Sequence, residues 1–378
     1  MVLSTRALTF YGILILLAFF AGCESEHDRS VTGDFFDRKP GDLVTITATI
    51  DSITQFLGKT GESSYIFAGR YNNIEAFSLI KFTKPSADIV DNLDSMTVKM
   101  SAGDTWRDGI AEFSLFGASS DWVDSIRIEP DMFDTVGLTP VSTASDTSVL
   151  VDELNFSIPP EYFAEIRNWD GPLAFKVSGS ENGGSMVALN SLYSNHKPKI
   201  ELIYRTINGL KDTTTIDCVD SNYFVDTGYD KNSQPYDLVG LVSDADAGGF
   251  VMNVTLPDSL PATAALNRFS LTLDIIENGS VVPSDEPFYI GIFQLSGPMN
   301  SFEDAAYTTV TSIEQQVDLT NMTIEFDLTY FLETWHKGET ANHGIFIRPV
   351  RSNDSPSQII CLPRSPMEII YTSLPEAE

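Results

Sequence analysis

Along most of this chain apolar side chains recur at every second position. In "LVTITATIDS", Val44, Ile46, Ala48 and Ile50 alternate with Thr45, Thr47 and Thr49. That period places one set on one face of an extended strand. The same alternation returns in "SMTVKM" (Met96, Val98, Met100), "RFSLTLDI" (Phe269, Leu271, Leu273, Ile275) and "TIEFDL" (Ile324, Phe326, Leu328). Clusters of Gly, Asn, Asp, Ser and Pro separate these runs, and amphipathic helical periods are nearly absent. The pattern predicts an all-β protein of antiparallel sheets packed as sandwiches.

The two halves match in order. "YIFAGRYNNIEAFSLIKFTKPSADIVDNLDSMTVKM" and "DLVGLVSDADAGGFVMNVTLPDSLPATAALNRFSLTLDI" each give a glycine, a polar loop, a strand, a proline-containing connection and an alternating strand. Later, "YFAEIRNWDGPLAFKVSG" precedes "PKIELIYRT", while "YFLETWHKGETANHGIFIRPV" precedes "PMEIIYTS". This predicts a structural duplication: two tandem, jelly-roll-like β-sandwiches over residues 43–206 and 216–374, joined by a polar linker at 207–215.

Tyr65 to Phe82, with Gly69-Arg70-Tyr71-Asn72 leading into Ser78-Leu79-Ile80-Lys81-Phe82, resembles the opening of DNRLRE-type β-sandwich domains. So do "SSDWVDSIRI" around Trp122 and the closing "PKIELIYRT". The resemblance covers about residues 43–206 and, loosely, 216–373, without the name-giving string. It implies the sandwich fold, with Trp122, Trp169 and Trp335 in the core. By association with polysaccharide-degrading enzymes it also implies a carbohydrate role. The tandem pattern further resembles lipoproteins of Bacteroidetes.

At the start, Met1–Arg6 carries one basic side chain, and Ala7–Ala21 is an apolar run of fifteen residues. A spanning helix needs about eighteen or more, so the run reads as a signal peptide. It ends Phe20-Ala21-Gly22-Cys23, which resembles the lipobox of bacterial lipoproteins, with Phe20 where that motif usually has Leu. Residues 1–22 are then the signal peptide, Cys23 carries the lipid, and 23–42 form an acidic tether. Glu24, Glu26 and Asp28 in that tether resemble a surface-export signal. The expected location is the bacterial outer membrane, with the body facing either the exterior or the periplasm.

Charge narrows the partners. Fifty-three acids against 23 bases give a net charge of −30, spread along the chain. Such a surface repels phosphate backbones, so nucleic acid is not an expected partner. It leaves carboxylates available for calcium, the candidate cation. Of three cysteines, Cys23 is assigned to the lipid. Cys218 and Cys361 either pair or stay as buried thiols.

Candidate chemistry is sparse. Asp244-Ala245-Asp246-Ala247-Gly248 opens like a calcium loop and then departs from the EF-hand pattern at Gly248 and Thr255, and the alternative is a solvated hairpin loop. Glycan binding needs exposed aromatic faces beside polar groups. Trp106 with Arg107 in "GDTWRDG", a stretch that reads as a loop flanked by Asp104 and Asp108, is the first candidate, the alternative being a tryptophan packed in the core; Tyr71 and Tyr193 come second. The spacing of His336 and His343 does not specify a metal site. No Gly-x-Ser-x-Gly elbow, His-Glu-x-x-His or phosphate-binding glycine loop occurs. The expectation is a monomeric, non-catalytic surface protein that binds polysaccharide. The alternatives are a structural or adhesive envelope protein that contacts other proteins, and a cryptic glycoside hydrolase.

Overall fold

The computed structural model describes residues 42–107, 111–118, 122–123, 127–128, 141–146, 152–168, 171–179, 184–230, 234–283, 287–305, 309–351 and 355–373. Within them the chain forms two antiparallel β bodies of ten strands each. The strands are β1 (Leu43–Leu57), β2 (Tyr65–Tyr71), β3 (Ile74–Phe82), β4 (Leu93–Arg107), β5 (Ala111–Gly117), β6 (Ser142–Asp146) and β7 (Glu153–Ile158). They continue as β8 (Leu173–Gly179), β9 (Ser185–Asn190), β10 (Lys199–Arg205), β11 (Lys211–Asp226), β12 (Gly240–Ser243), β13 (Gly248–Thr255) and β14 (Ala265–Val281). The last are β15 (Tyr289–Leu295), β16 (Thr309–Gln316), β17 (Thr323–Asp327), β18 (Ile345–Pro349), β19 (Gln358–Pro363) and β20 (Met367–Thr372).

The first body is ordered β11-β10-β4-β9-β2-β3-β8-β5-β6, with β7 on β4 and β11 also pairing β3. The second is ordered β1-β20-β14-β19-β12-β13-β18-β15-β16, with β17 on β14 and β1 also pairing β13. Adding ten to each number of the first gives the second, except that β11 is answered by β1. The duplication is therefore strand for strand. The short helices correspond too: Phe163–Asn168 lies between β7 and β8, and Thr329–His336 between β17 and β18.

The expected domain limits do not coincide with the sheets. Residues 43–57 fall in the first expected domain, yet β1 pairs β20 through Leu43–Ala48 and β13 through Thr49–Leu57. Much of the expected linker is strand, because β11 begins at Lys211. The cause is local. Asn208-Gly209, with Gly209 at φ 74°, closes a tight turn in which the Thr206 amide donates to the Leu210 carbonyl at 2.8 Å. Such a turn folds the next strand back onto the last one, so β11 pairs β10 from Lys199 to Arg205. The first sandwich is thereby completed by the opening strand of the second half. The second sandwich takes β1, the opening strand of the first.

Side chains fix this exchange. At matching register, Gln55 of β1 faces Phe250 and Tyr223 of β11 faces Ser78. Gln55 donates to the carbonyls of Leu241 and Gly249, both at 3.0 Å, and accepts from the Leu241 amide at 3.0 Å. Tyr223 is fully buried, edge-on to Phe67. A buried amide without partners costs about 1–3 kcal/mol, so Gln55 suits the position where these backbone partners meet it.

Each body has its own core. Phe67, Phe82, Phe113 and Phe156 fill the first, and Phe250, Phe269, Phe326 and Phe331 the second. In β1 the inward positions change from Ala48 and Ile50 to Ile53, across a bulge between Ile50 and Ser52. One extra residue reverses the faces, which lets a single strand serve both layers.

Candidate functional site

The turn between β12 and β13 joins the sandwiches. Ala245 is buried among first-core residues, and the Tyr223 hydroxyl donates to its carbonyl at 2.5 Å. Asp246, also buried, pairs with Arg127 at 2.5 Å, while Arg127 donates to the Gly58 carbonyl at 3.0 Å. Asp244 accepts from the Ser355 amide and hydroxyl at 3.1 and 3.0 Å. The residues singled out as the start of a calcium loop thus form an internal plug, with carboxylates turned to protein donors. Among the described residues no three His, Cys, Asp or Glu side chains converge as a cation cage.

Beside this plug a cleft of about 540 Å³ opens between the sandwiches. Tyr65 and Asp104 form one wall, and Phe288, Tyr289 and Arg351 the other, with Asp244 and Ser355 at the base. Tyr65 ends on this wall because residue 103 is glycine. A Cβ there would lie 2.6 Å from the ring's Cε1. Alternation along β15 buries Ile290 and Ile292 and turns Tyr289 outward at 43% exposure. The cleft therefore offers aromatic surface from both sandwiches, with a carboxylate and a guanidinium at the rim. That combination can hold a ring-shaped, hydroxyl-bearing molecule, apolar faces on tyrosine and hydroxyls on the charged groups.

None of the aromatic residues singled out from sequence lines this cleft. Trp106 is not in a loop. It lies near the end of β4, 4% exposed, with its ring 5.9 Å from that of Phe67. Its burial in the first core is the core-packing alternative, and the exposed stacking platform is overturned. Arg107 closes β4 opposite Ser185, and its side chain lies outside the described residues. Tyr71 is half-buried against the first core, and Tyr193 is 49% exposed in the turn after β9. Trp122 and Trp335 are buried, and Trp169 lies outside the described residues.

Cys218 and Cys361 are free thiols rather than a disulfide. Each is enclosed in a different core, which separates them. Burial pushes the Cys218 thiol up to about 11 and raises that of Cys361 as well. Cys23 and the tether up to residue 41 lie outside the described residues. No helix among the described residues is long and apolar enough to cross a membrane.

Sequence reasoning missed Tyr65, Tyr289 and Arg351 as cleft residues. Tyr289 sits inside the apolar run "FYIGIF", where only strand parity distinguishes it from its neighbours.

No family model matches the chain, and no curated protein does. Among solved structures the chain is similar to BcpA, the major pilin subunit of Bacillus cereus. A point variant of that pilin aligns at 9% identity with a TM-score of 0.21, covering 76% of this chain and 56% of that one. A second BcpA structure aligns at 8% identity with a TM-score of 0.19, covering 88% and 67%. The chain thus spans little more than half to two thirds of those pilin chains.

Proposed function

We propose that this is a non-catalytic, lipid-anchored protein of the bacterial outer membrane that binds extracellular polysaccharide in the cleft between its sandwiches. The observation that carries the reading is the cleft itself. It holds aromatic surface from both bodies, Tyr65 and Tyr289, with Asp104 and Arg351 beside them. Its volume of about 540 Å³ lies within the usual 300–1,000 Å³ of small-molecule sites. Calcium is the candidate cation, recruited by the acidic surface. Cys23 carries the anchor, and the tether enters β1 at Leu43, opposite Thr372 of the last strand.

The test is retention of residues 24–378 by a panel of polysaccharides in affinity electrophoresis, with calcium and with chelator. Retention by one glycan class, weakened about tenfold or more in Tyr289→Ala, supports the reading. Retention by none, or retention unchanged in Tyr289→Ala, overturns it. Cys23→Ser in the full chain should move the protein from the membrane to the soluble fraction.

A further inference from the structure

We infer that the second sandwich carries a separate recess for a neutral sugar, the open counterpart of a groove that the first sandwich closes with its own Trp122. The ligand class rests on the reading above; the site itself is distinct from the cleft.

Register sets the equivalent positions of the two sandwiches side by side. In the first sandwich β11 bulges between Cys218 and Asp220, after which Asp220 faces Lys81 on β3. In the second, β1 bulges between Ile50 and Ser52, after which Ser52 faces Asn253 on β13. Counting along from the bulges, Asn222 corresponds to Thr54, Phe224 to Phe56 and Leu79 to Val251. The next strand agrees: the Ala118 amide donates to the Ala174 carbonyl, and the Leu295 amide donates to that of Gly344.

On the first sandwich this outer face is covered. Trp122, 4% exposed, packs with Leu79, Ala118, Ile128 and Ala174, against Phe77 and Phe224. The Lys81 ammonium lies 4.4 Å from its ring centroid and donates to its carbonyl. Asn222 holds the Val123 carbonyl at 3.1 Å. Trp122 and Ile128 are thus built-in occupants of the groove.

On the second sandwich the corresponding positions, Thr54, Phe56, Val251, Asn253 and Gly344, line a recess of about 430 Å³. The segment after β15 flanks it. Met299 and Phe302 pack with Phe56 and Phe293 over the buried Val251, Leu295, Ala305 and Phe346, Phe302 edge-on to Phe346, and the recess is the part of the face left uncovered beside Met299.

Chemistry differs in a way that selects the ligand. The Lys81–Asp220 ion pair, 3.1 Å, is answered by a neutral contact in which Asn253 donates to the Ser52 hydroxyl at 2.9 Å. Asn342 is held by its own bonds, donating to the Val254 carbonyl at 2.7 Å and accepting from the Gly344 amide at 3.0 Å. Fixed amides and hydroxyls over a Phe56 and Met299 surface suit a sugar ring, with C–H face inward and hydroxyls to the rim. Asp51 at the edge opposes an anionic sugar.

The experiment follows the side-chain amide signals of Asn253 and Asn342 by NMR in residues 24–378, titrated with maltose, cellobiose, lactose and galacturonate. The expected result is a saturable shift with at least one neutral disaccharide and a smaller one with galacturonate. Binding should be about tenfold weaker in Thr54→Trp, which fills the recess, and unchanged in Tyr289→Ala. No shift with any neutral sugar, equal shifts in Thr54→Trp, or a response to galacturonate alone overturns the inference. Polysaccharide retention that depends on Tyr289 without these shifts would leave the cleft reading standing and overturn the recess. Shifts at Asn253 with retention indifferent to Tyr289 would do the reverse.

Discussion

The two sandwiches share one topology and differ on one outer face. In the first, Leu79, Lys81 and Phe224 receive the chain's own Trp122; in the second, Thr54, Phe56 and Asn253 border a recess beside Met299. A duplicated fold keeps the strand ladder, which every residue's backbone needs, while the segment laid over an outer face is free to change. Function in such a protein is sought in what lies over the sheets. Strand order is the same in both halves, so what covers the sheet, and the side chains at equivalent positions, distinguish them.

The largest expected effect breaks the comparison at its strands. Residues 58–230 contain β2–β11 without interruption and should give a cooperative thermal transition. Residues 43–206 keep β1, lack β11, and should give none by circular dichroism. Cooperative melting of 43–206 alone would mean that β1 can complete the first sandwich.

Next comes the covered face. Trp122→Ala should destabilise residues 24–378 by about 3–5 kcal/mol in urea unfolding, as for other buried large-to-small changes. Met299→Ala, at the half-buried counterpart wall, should cost about 1 kcal/mol. Equal losses would show that the two faces are packed alike.

A smaller effect concerns the thiols. With Cys218 pushed up to about 11 and Cys361 also raised by burial, neither forms thiolate near neutral pH in the folded protein. Residues 24–378 should therefore resist a thiol reagent at pH 8 and take up two equivalents in denaturant. Labelling of one cysteine before the other would rank the opening of the two cores.

The smallest effect is an acid dependence of the second sandwich. Asp327 accepts from the Thr329 hydroxyl at 2.6 Å and amide at 2.9 Å, where the helix Thr329–His336 begins. These bonds hold its carboxyl below the usual range. A carboxyl with a lowered folded value contributes stability above its unfolded value, and that stability is lost as pH falls through the folded value. Asp327→Asn should flatten this part of the pH profile slightly, since the group is largely exposed and water screens it.

Much of this was legible in the sequence. Alternation at Val98, Leu271 and Phe326 reports a face, and the matched order of "PKIELIYRT" and "PMEIIYTS" reports the duplication. Alternation does not report a partner, so the pairing of β1 with β20 was hidden. The signal that could have revealed it is Asn208-Gly209, which reads as a hairpin turn rather than a linker. The site was harder to read. Flanking Asp104 and Asp108 made Trp106 look like a loop residue, whereas β4 runs through it. Asp244 and Asp246 looked like cation ligands because their donors, Ser355 and Arg127, lie far away in sequence. The cleft unites residues from both bodies, and no local pattern announces such a meeting.

The strand exchange sets Tyr223 of β11 against the plug and Thr54 and Phe56 of β1 at the recess. It can be read directly from disulfide trapping in residues 24–378. Thr47 faces Glu368 across β1 and β20. If β1 instead took the place of β11, Thr47 would stand where Thr215 does, facing Glu201. The account expects Thr47→Cys/Glu368→Cys to close an intramolecular disulfide under mild oxidation, and Thr47→Cys/Glu201→Cys to remain reduced. Closure of the second pair, with the first left open, would contradict it.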